Sequence, residues 1–233
     1  MKIQLWRQDT LAHESLIVGI MLALSGGFLD TYTYTLRGGV FANAQTGNLV
    51  LMAVKLADSD FLSALYYFIP VIAFFLGVLL TEVIKRRFTE REWIQWQHMA
   101  LLLEFLLLLI IGFVPLWVPN AVVNVTISFI CSVQVQSFRK TKGLPYATTM
   151  CTGNLRSAAD NFSVFLFTGE RESWKKCRRY LIIIASFCFG AAGGALSSRF
   201  LGPGAVWISC VLLAGVFLLL FLDKRTAKLE GKN

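Results

Sequence analysis

Two copies of the tetrapeptide Thr-Gly-Asn-Leu, at Thr46–Leu49 and Thr152–Leu155, gather polar side chains into short islands within an apolar chain. Thr46, Asn48, Thr152 and Asn154 supply hydroxyl and amide groups. Each motif precedes a helix-like, largely apolar run, 49–56 and 155–167. Asn48 and Asn154 are suited to N-cap those helices, and Gly47 and Gly153 to permit a turn just before them. A helix N-terminus exposes unpaired N–H groups and partial positive charge. Two such ends facing each other would suit an anion, or a polar solute with carboxylate or carbonyl groups. Asp30, a single carboxylate in an apolar run, could bind a cation or relay a proton, with Gln136 as its counterpart along the same path. The bland alternative is that each motif is a turn and a cap held by packing, and the residues alone leave both readings open.

The motifs lie 106 positions apart, and at that offset Asp30 falls on Gln136, Thr35 on Thr141 and Ala53 on Ala159. Further on, Ala73, Gly77 and Thr81 are echoed by Ser186, Gly190 and Gly194 at a shift of 113. The chain therefore reads as two copies of one unit, with extra residues in the second copy's loop.

The elements that must position these motifs are membrane helices. Hydrophobic residues make up 56% of the 233 positions and charged residues 15%, with a mean hydropathy of +0.62. Six apolar stretches approach or exceed the roughly 20 residues that cross a bilayer as helix. They lie near 16–36, 61–84, 99–118, 120–138, 180–198 and 204–222, the third and fourth joined at Pro119 as a tight hairpin. Spans in lipid must pair their own backbone, so the chain is read as all-α. The expected architecture is an integral membrane protein of six helices in two three-helix repeats, 16–118 and 119–222. Each repeat contains a broken or re-entrant segment, 40–56 and 145–167. Tails occupy 1–15 and 223–233. Three crossings per unit is an odd number, so the second copy must enter the membrane inverted.

Charge agrees with that parity. Alternate segments carry 19 of the 22 Lys and Arg, which puts both termini in the cytoplasm by the positive-inside rule. The net charge of +8 is thus accounted for by topology, and no nucleic acid partner is expected. The N-terminal run with Ala23-Leu24-Ser25 mimics a cleaved signal peptide, but it continues into the repeated block and is read as retained.

The fourth span carries a polar stripe, Asn124, Ser128, Ser132 and Gln136, with Gln134 beside it. In a membrane it should face protein or water, as interhelical glue or as a solute pathway. The small-residue ladders of the second and fifth spans are read as packing faces, with these two helices against each other as one arrangement. The third and sixth spans read as lipid-facing outer helices. Glu104 is read as snorkelling to the inner interface in preference to a functional acid, and Glu82 as pairing with Lys85 and Arg86. The five cysteines show no Cys-x-x-Cys spacing and read as small buried residues without disulfides. His13 and His98 are isolated, so no metal or cofactor is expected. No nucleophile, metalloprotease or nucleotide-loop motif is present, and the chain is not read as an enzyme.

Gly27-Phe28-Leu29-Asp30, followed by Phe41 and Thr46-Gly47-Asn48-Leu49, resembles the first block of the YoaK-like family of bacterial multi-pass membrane proteins. Residues 134–154, ending in the second motif, resemble its other half. The resemblance covers about 15–222; Gln136 stands where Asn is expected, and the amide is kept. It implies a bacterial cytoplasmic membrane protein of about six spans, and no activity. From the repeat itself the expected function is a small-solute transporter or channel, its site between the two motifs, with a non-transporting scaffold that binds a partner helix as the alternative. The lipid bilayer and a small polar or anionic solute are the expected partners, and the small-residue faces leave room for a homodimer.

Overall fold

The computed structural model describes residues 15–87, 90–141, 144–145, 149 and 151–230. The first fourteen residues, and with them the N-terminal tail, lie outside the described part. Among the described residues the regular structure is helical, apart from an antiparallel ladder of two residues on each strand, Lys140–Thr141 (β1) with Leu144–Pro145 (β2). Eight α-helices follow in order: α1 Leu16–Leu36, α2 Gln45–Ala57, α3 Phe61–Lys85, α4 Glu90–Ile111, α5 Asn120–Ser137, α6 Cys151–Thr168, α7 Arg171–Leu201 and α8 Trp207–Glu230. Among the described residues, three stretches are long and apolar enough to cross a membrane: α1, α3, and the run Arg171–Leu222 that holds α7 and most of α8. A 3-10 turn, Gly202–Val206, breaks that run, and Gly202 caps α7 at φ +54°.

Burial sorts the helices into two classes. α1 and α5 are covered on most of their circumference and form the centre. α3 and α7 bury one narrow stripe each, Ala73-Gly77-Thr81 and Ser186-Gly190-Gly194-Ser198. The two ladders do not meet each other, as the spacing suggested. The α7 ladder packs on α1, where a Cβ on Gly190 would run into the Leu24 carbonyl and one on Gly194 would lie 2.7 Å from the Phe28 carbonyl oxygen. The α3 ladder packs on α5, where a Cβ on Gly77 would strike Ser132 and the Phe129 carbonyl. Small residues state how close a neighbour can come, without saying which neighbour it is.

These contacts also fix directions. Leu24 meets Gly190 and Phe28 meets Gly194, so α1 and α7 run parallel. Tyr66 meets Asn124 and Glu82 meets Gln136, so α3 and α5 run parallel. α4 is antiparallel to α5, with Gln97 donating to the Ser137 carbonyl and Gln134 to Glu104. α8 is antiparallel to both α4 and α1: Trp207 donates to the Leu109 carbonyl while His98 stacks edge-on against Phe217, and Met21 meets Gly215 while Tyr32 donates to the Pro203 carbonyl.

Several sequence expectations change here. α4 ends at Ile111, well before 118, and Pro119 is the N-cap of α5. α4 and α8 are not simply outer helices, because Leu101, Leu108, Leu213 and Val216 are buried in the main apolar cluster. Glu104 is buried at 1% exposure and accepts from Gln134 on both oxygens at 3.0 Å, so it does not snorkel. Glu82 bonds across helices to Gln136 and Arg139. Three amides of the α5 stripe bond inside the chain, Gln134 to Glu104, Gln136 to Glu82 and Asn124 to the Tyr66–Arg37 group, whereas the Ser128 hydroxyl is buried without a partner. α8 runs on to Glu230, past the fraying expected at 222.

Gly190 and Gly193 of α7 give an internal comparison. Nothing lies within 4 Å of a Cβ on Gly193, whereas Gly190 faces the α1 backbone. Gly190→Ala is expected to destabilise by about 1–3 kcal/mol, because the α1 backbone has to move. Gly193→Ala is expected to be neutral or to gain up to about 1 kcal/mol from helix propensity. Equilibrium unfolding in mixed micelles checks both, and equal losses would refute the α1–α7 seam.

Candidate functional site

The first motif sits where the chain doubles back. α1 ends in a glycine cap: Gly38 at φ +85° lets the Gly39 N–H reach the Tyr34 carbonyl at 3.1 Å, and Arg37 N–H bonds the Thr33 carbonyl at 2.9 Å. The chain then returns alongside α1 until Asn43 lies level with Gly26 and Asp30. There the Asp30 Oδ1 accepts the Asn43 N–H at 2.6 Å and the Ala44 N–H at 3.3 Å, and the Asn43 side-chain amide donates to the Gly26 carbonyl at 3.3 Å. α2 starts at this depth, beside Val71 and Val78 in the middle of α3, and climbs back to the start of α3.

Asn48 closes the loop. Its Oδ1 accepts the Phe41 N–H at 2.9 Å, and its Nδ2 donates to the Phe41 carbonyl at 2.7 Å and to Gln45 Oε1 at 2.9 Å. It is therefore not an N-cap. α2 begins three residues earlier, at Gln45, with Ala44 in the cap position and no side-chain cap bond. Asn154 likewise lies inside α6, which starts at Cys151. Neither Gly47 nor Gly153 has the positive φ of a turn residue. Gly47 is needed for a different reason: a Cβ there would lie 2.8 Å from the Phe41 ring, which stacks on Tyr34 at 4.8 Å between centroids. Around Gly153 there is open space.

The second motif approaches the same place from the other direction. α6 starts beside Phe187, the middle of α7, and runs antiparallel to it so that Phe162 and Phe165 pack on Trp174 near the α7 N-terminus. α2 is 13 residues and α6 is 18, about 20 Å and 27 Å at 1.5 Å per residue, longer than the half-helices expected. The two helix starts border one cavity of about 620 Å³. Asn43, Gln45 and Thr46 face it from one side, and Thr149, Cys151, Thr152 and Gly153 from the other. Its remaining walls are apolar, chiefly Phe74, Phe75 and Phe187. Such a space can hold a small molecule with one hydrogen-bonding end and an apolar body.

The eight residues singled out by sequence thus divide. Thr46, Thr152 and Gly153 line the cavity. Asp30, Asn48 and Asn154 are buried around it, at 4%, 0% and 4% exposure. Gly47 supports the loop, and Gln136 lies apart from the cavity, bonded to Glu82. Asn43 and Thr149 went unnoticed in sequence, although they occupy matched positions three residues before each motif. Their identities differ, so the repeat did not flag them. Cys151 was read only as packing.

Asn48→Ala is expected to cost about 2–3 kcal/mol, since it strands the Phe41 N–H and carbonyl in a buried loop. Asn48→Asp should cost at least as much, because a carboxylate cannot donate to the Phe41 carbonyl. Unfolding in mixed micelles checks both, and wild-type stability in either would show that the loop does not depend on this side chain.

Comparison with known proteins adds the family. The chain is 26% identical over 216 residues to the UPF0700 transmembrane protein YoaK of Bacillus subtilis (strain 168), covering 90% of this chain and 92% of that protein. No solved structure matches. Residues 18–219, which run from the first turn of α1 to the middle of α8, match the family described as "Protein of unknown function (DUF1275)". The chain belongs to that family.

Proposed function

We propose that this protein carries a small polar or anionic solute across a bacterial cytoplasmic membrane, as a transporter or channel whose site is the cavity between the two Thr-Gly-Asn helix starts. The convergence of those starts on one cavity of about 620 Å³ is the observation that carries the reading. Each start brings the positive end of a helix dipole to the cavity border, and Thr46 and Thr152 line it, an arrangement that favours a carboxylate or carbonyl group. No catalytic step is invoked.

The pairing of helices supports an inverted repeat. If α1 to α4 correspond to α5 to α8, then α1 against α7 answers to α5 against α3, α2 against α3 answers to α6 against α7, and α1 against α8 answers to α5 against α4. Corresponding helices run in opposite directions, as the contacts of the two glycine seams and of α4 and α8 require. In this reading α1, α3, α4, α5, α7 and α8 are the six crossings, and α2 and α6 are re-entrant. Interrupted helices meeting near the midplane of inverted repeats are a recurrent basis for alternating access. The relative's name as a transmembrane protein fits a membrane setting. The basic N-terminal part of α7, with Lys175, Lys176, Arg178 and Arg179, would lie on the cytoplasmic side with both termini.

Proteoliposomes loaded with small organic anions, amino acids and related metabolites test the function. Thr46→Val and Thr152→Val are isosteric and should each reduce flux about tenfold, the order of one lost polar contact. In a background with the other four cysteines replaced, a small water-soluble thiol reagent should label Cys151, and a transported solute should slow that labelling. Absence of flux for every solute, or full flux in both valine variants, would sink the proposal.

A further inference from the structure

The polar groups behind the cavity wall are unbalanced. Asp30 Oδ2, Asn43 Oδ1 and Thr149 Oγ1 are all buried without a hydrogen-bond partner, in side chains no more than 4% exposed. The three side chains gather round Gly26. Asn43 N–H bonds Asp30 at 2.6 Å, the Asn43 amide donates to the Gly26 carbonyl, and a Cβ on Gly26 would lie 2.5 Å from Thr149 Cγ2. The orientation of Asn43 follows from that bond: only its nitrogen can donate to a carbonyl, so its Oδ1 is the free acceptor. Buried oxygens of this kind call for a partner.

We propose that Asp30, Asn43 and Thr149 bind a sodium ion at the point where the two loops meet, as the coupling ion of the transport reading above, on which this assignment rests. The donor set is all oxygen: one carboxylate, one amide carbonyl and one hydroxyl, which suits a hard cation. A single carboxylate matches a single positive charge. No group of three or more His, Cys, Asp or Glu capable of holding a metal occurs among the described residues, which argues against a transition metal. A proton on Asp30 would serve Oδ2 and one neighbouring acceptor; an ion would engage all three oxygens as ligands at once. Asn43 and Thr149 also line the solute cavity, so the ion has a route in and lies next to the bound solute. Asn43 belongs to the loop before α2, and Thr149 to the segment before α6. The ion would thereby tie one half of the chain to the other.

Thermal unfolding of the purified protein in detergent tests this without a solute. Sodium chloride should raise the midpoint saturably at constant ionic strength, where choline chloride and potassium chloride do not. Asp30→Asn should abolish the response. Its amide oxygen can still accept the Asn43 and Ala44 N–H groups, so the loop has its anchor. Thr149→Val, isosteric and without a bond to lose, should raise the half-maximal sodium concentration about tenfold. Equal responses to sodium and choline, or a sodium response that survives Asp30→Asn, would overturn the site. Flux that is indifferent to sodium would refute the coupling and leave transport standing. A sodium response in a protein that moves no solute would do the reverse.

Discussion

A chain that turns back inside an apolar layer must find a partner for every backbone N–H and carbonyl it frees, because lipid offers none. In the proposed membrane setting the loop before α2 stands under that constraint. Two side chains resolve it. Asp30 reaches across from α1 to take the N–H groups that precede α2, and Asn48 reaches back from α2 to pair both backbone groups of Phe41. The rest of the architecture keeps those partners at the right depth. α1 must pass close enough for its carboxylate to reach, and α1 is held there by the glycine seam with α7.

The two halves meet this demand with different chemistry. Asp30 in the first half is replaced at the matched position by Gln136, which turns away to Glu82 on α3. The C-terminal end of α1 is locked by Arg37, which is fully buried. Its guanidinium donates to the carbonyls of Val114 and Pro115, while its own carbonyl accepts from Tyr66 and Asn124. A buried cation held by carbonyl dipoles and the Tyr32 hydroxyl is costly, and here it binds the end of α1, the α4–α5 connection, α3 and α5 in one cluster. A shared backbone plan therefore does not imply equal polar content.

The helix positions were legible in sequence to a large extent, because apolar runs between polar stretches mark them. The tetrapeptides located both helix starts to within a few residues, and the apolar runs gave most helix bounds. What could not be read was which groups meet across long separations. The ladder at Gly77 announced a close neighbour without naming α5. Glu104 looked interfacial because Gln134, its partner, lies thirty positions away on another helix. Asn48 resembled a cap, since Asn before an apolar run is a common cap; the pull of Phe41 seven residues earlier leaves no local mark. Asn43 and Thr149 share a place in the repeat but not a residue type, so neither drew notice.

Each of the two tight seams joins a helix of the first half to a helix of the second: α1 with α7, and α3 with α5. The halves are therefore interlocked, and neither is a self-contained bundle. During synthesis, α1 enters the bilayer long before α7 has been made, with its glycine face and Asp30 still waiting for the surfaces that will enclose them. Biogenesis must hold the early helices apart from wrong neighbours until the last third of the chain arrives, and a truncated first half would present to the lipid the surface that is most polar and most closely fitted in the finished protein.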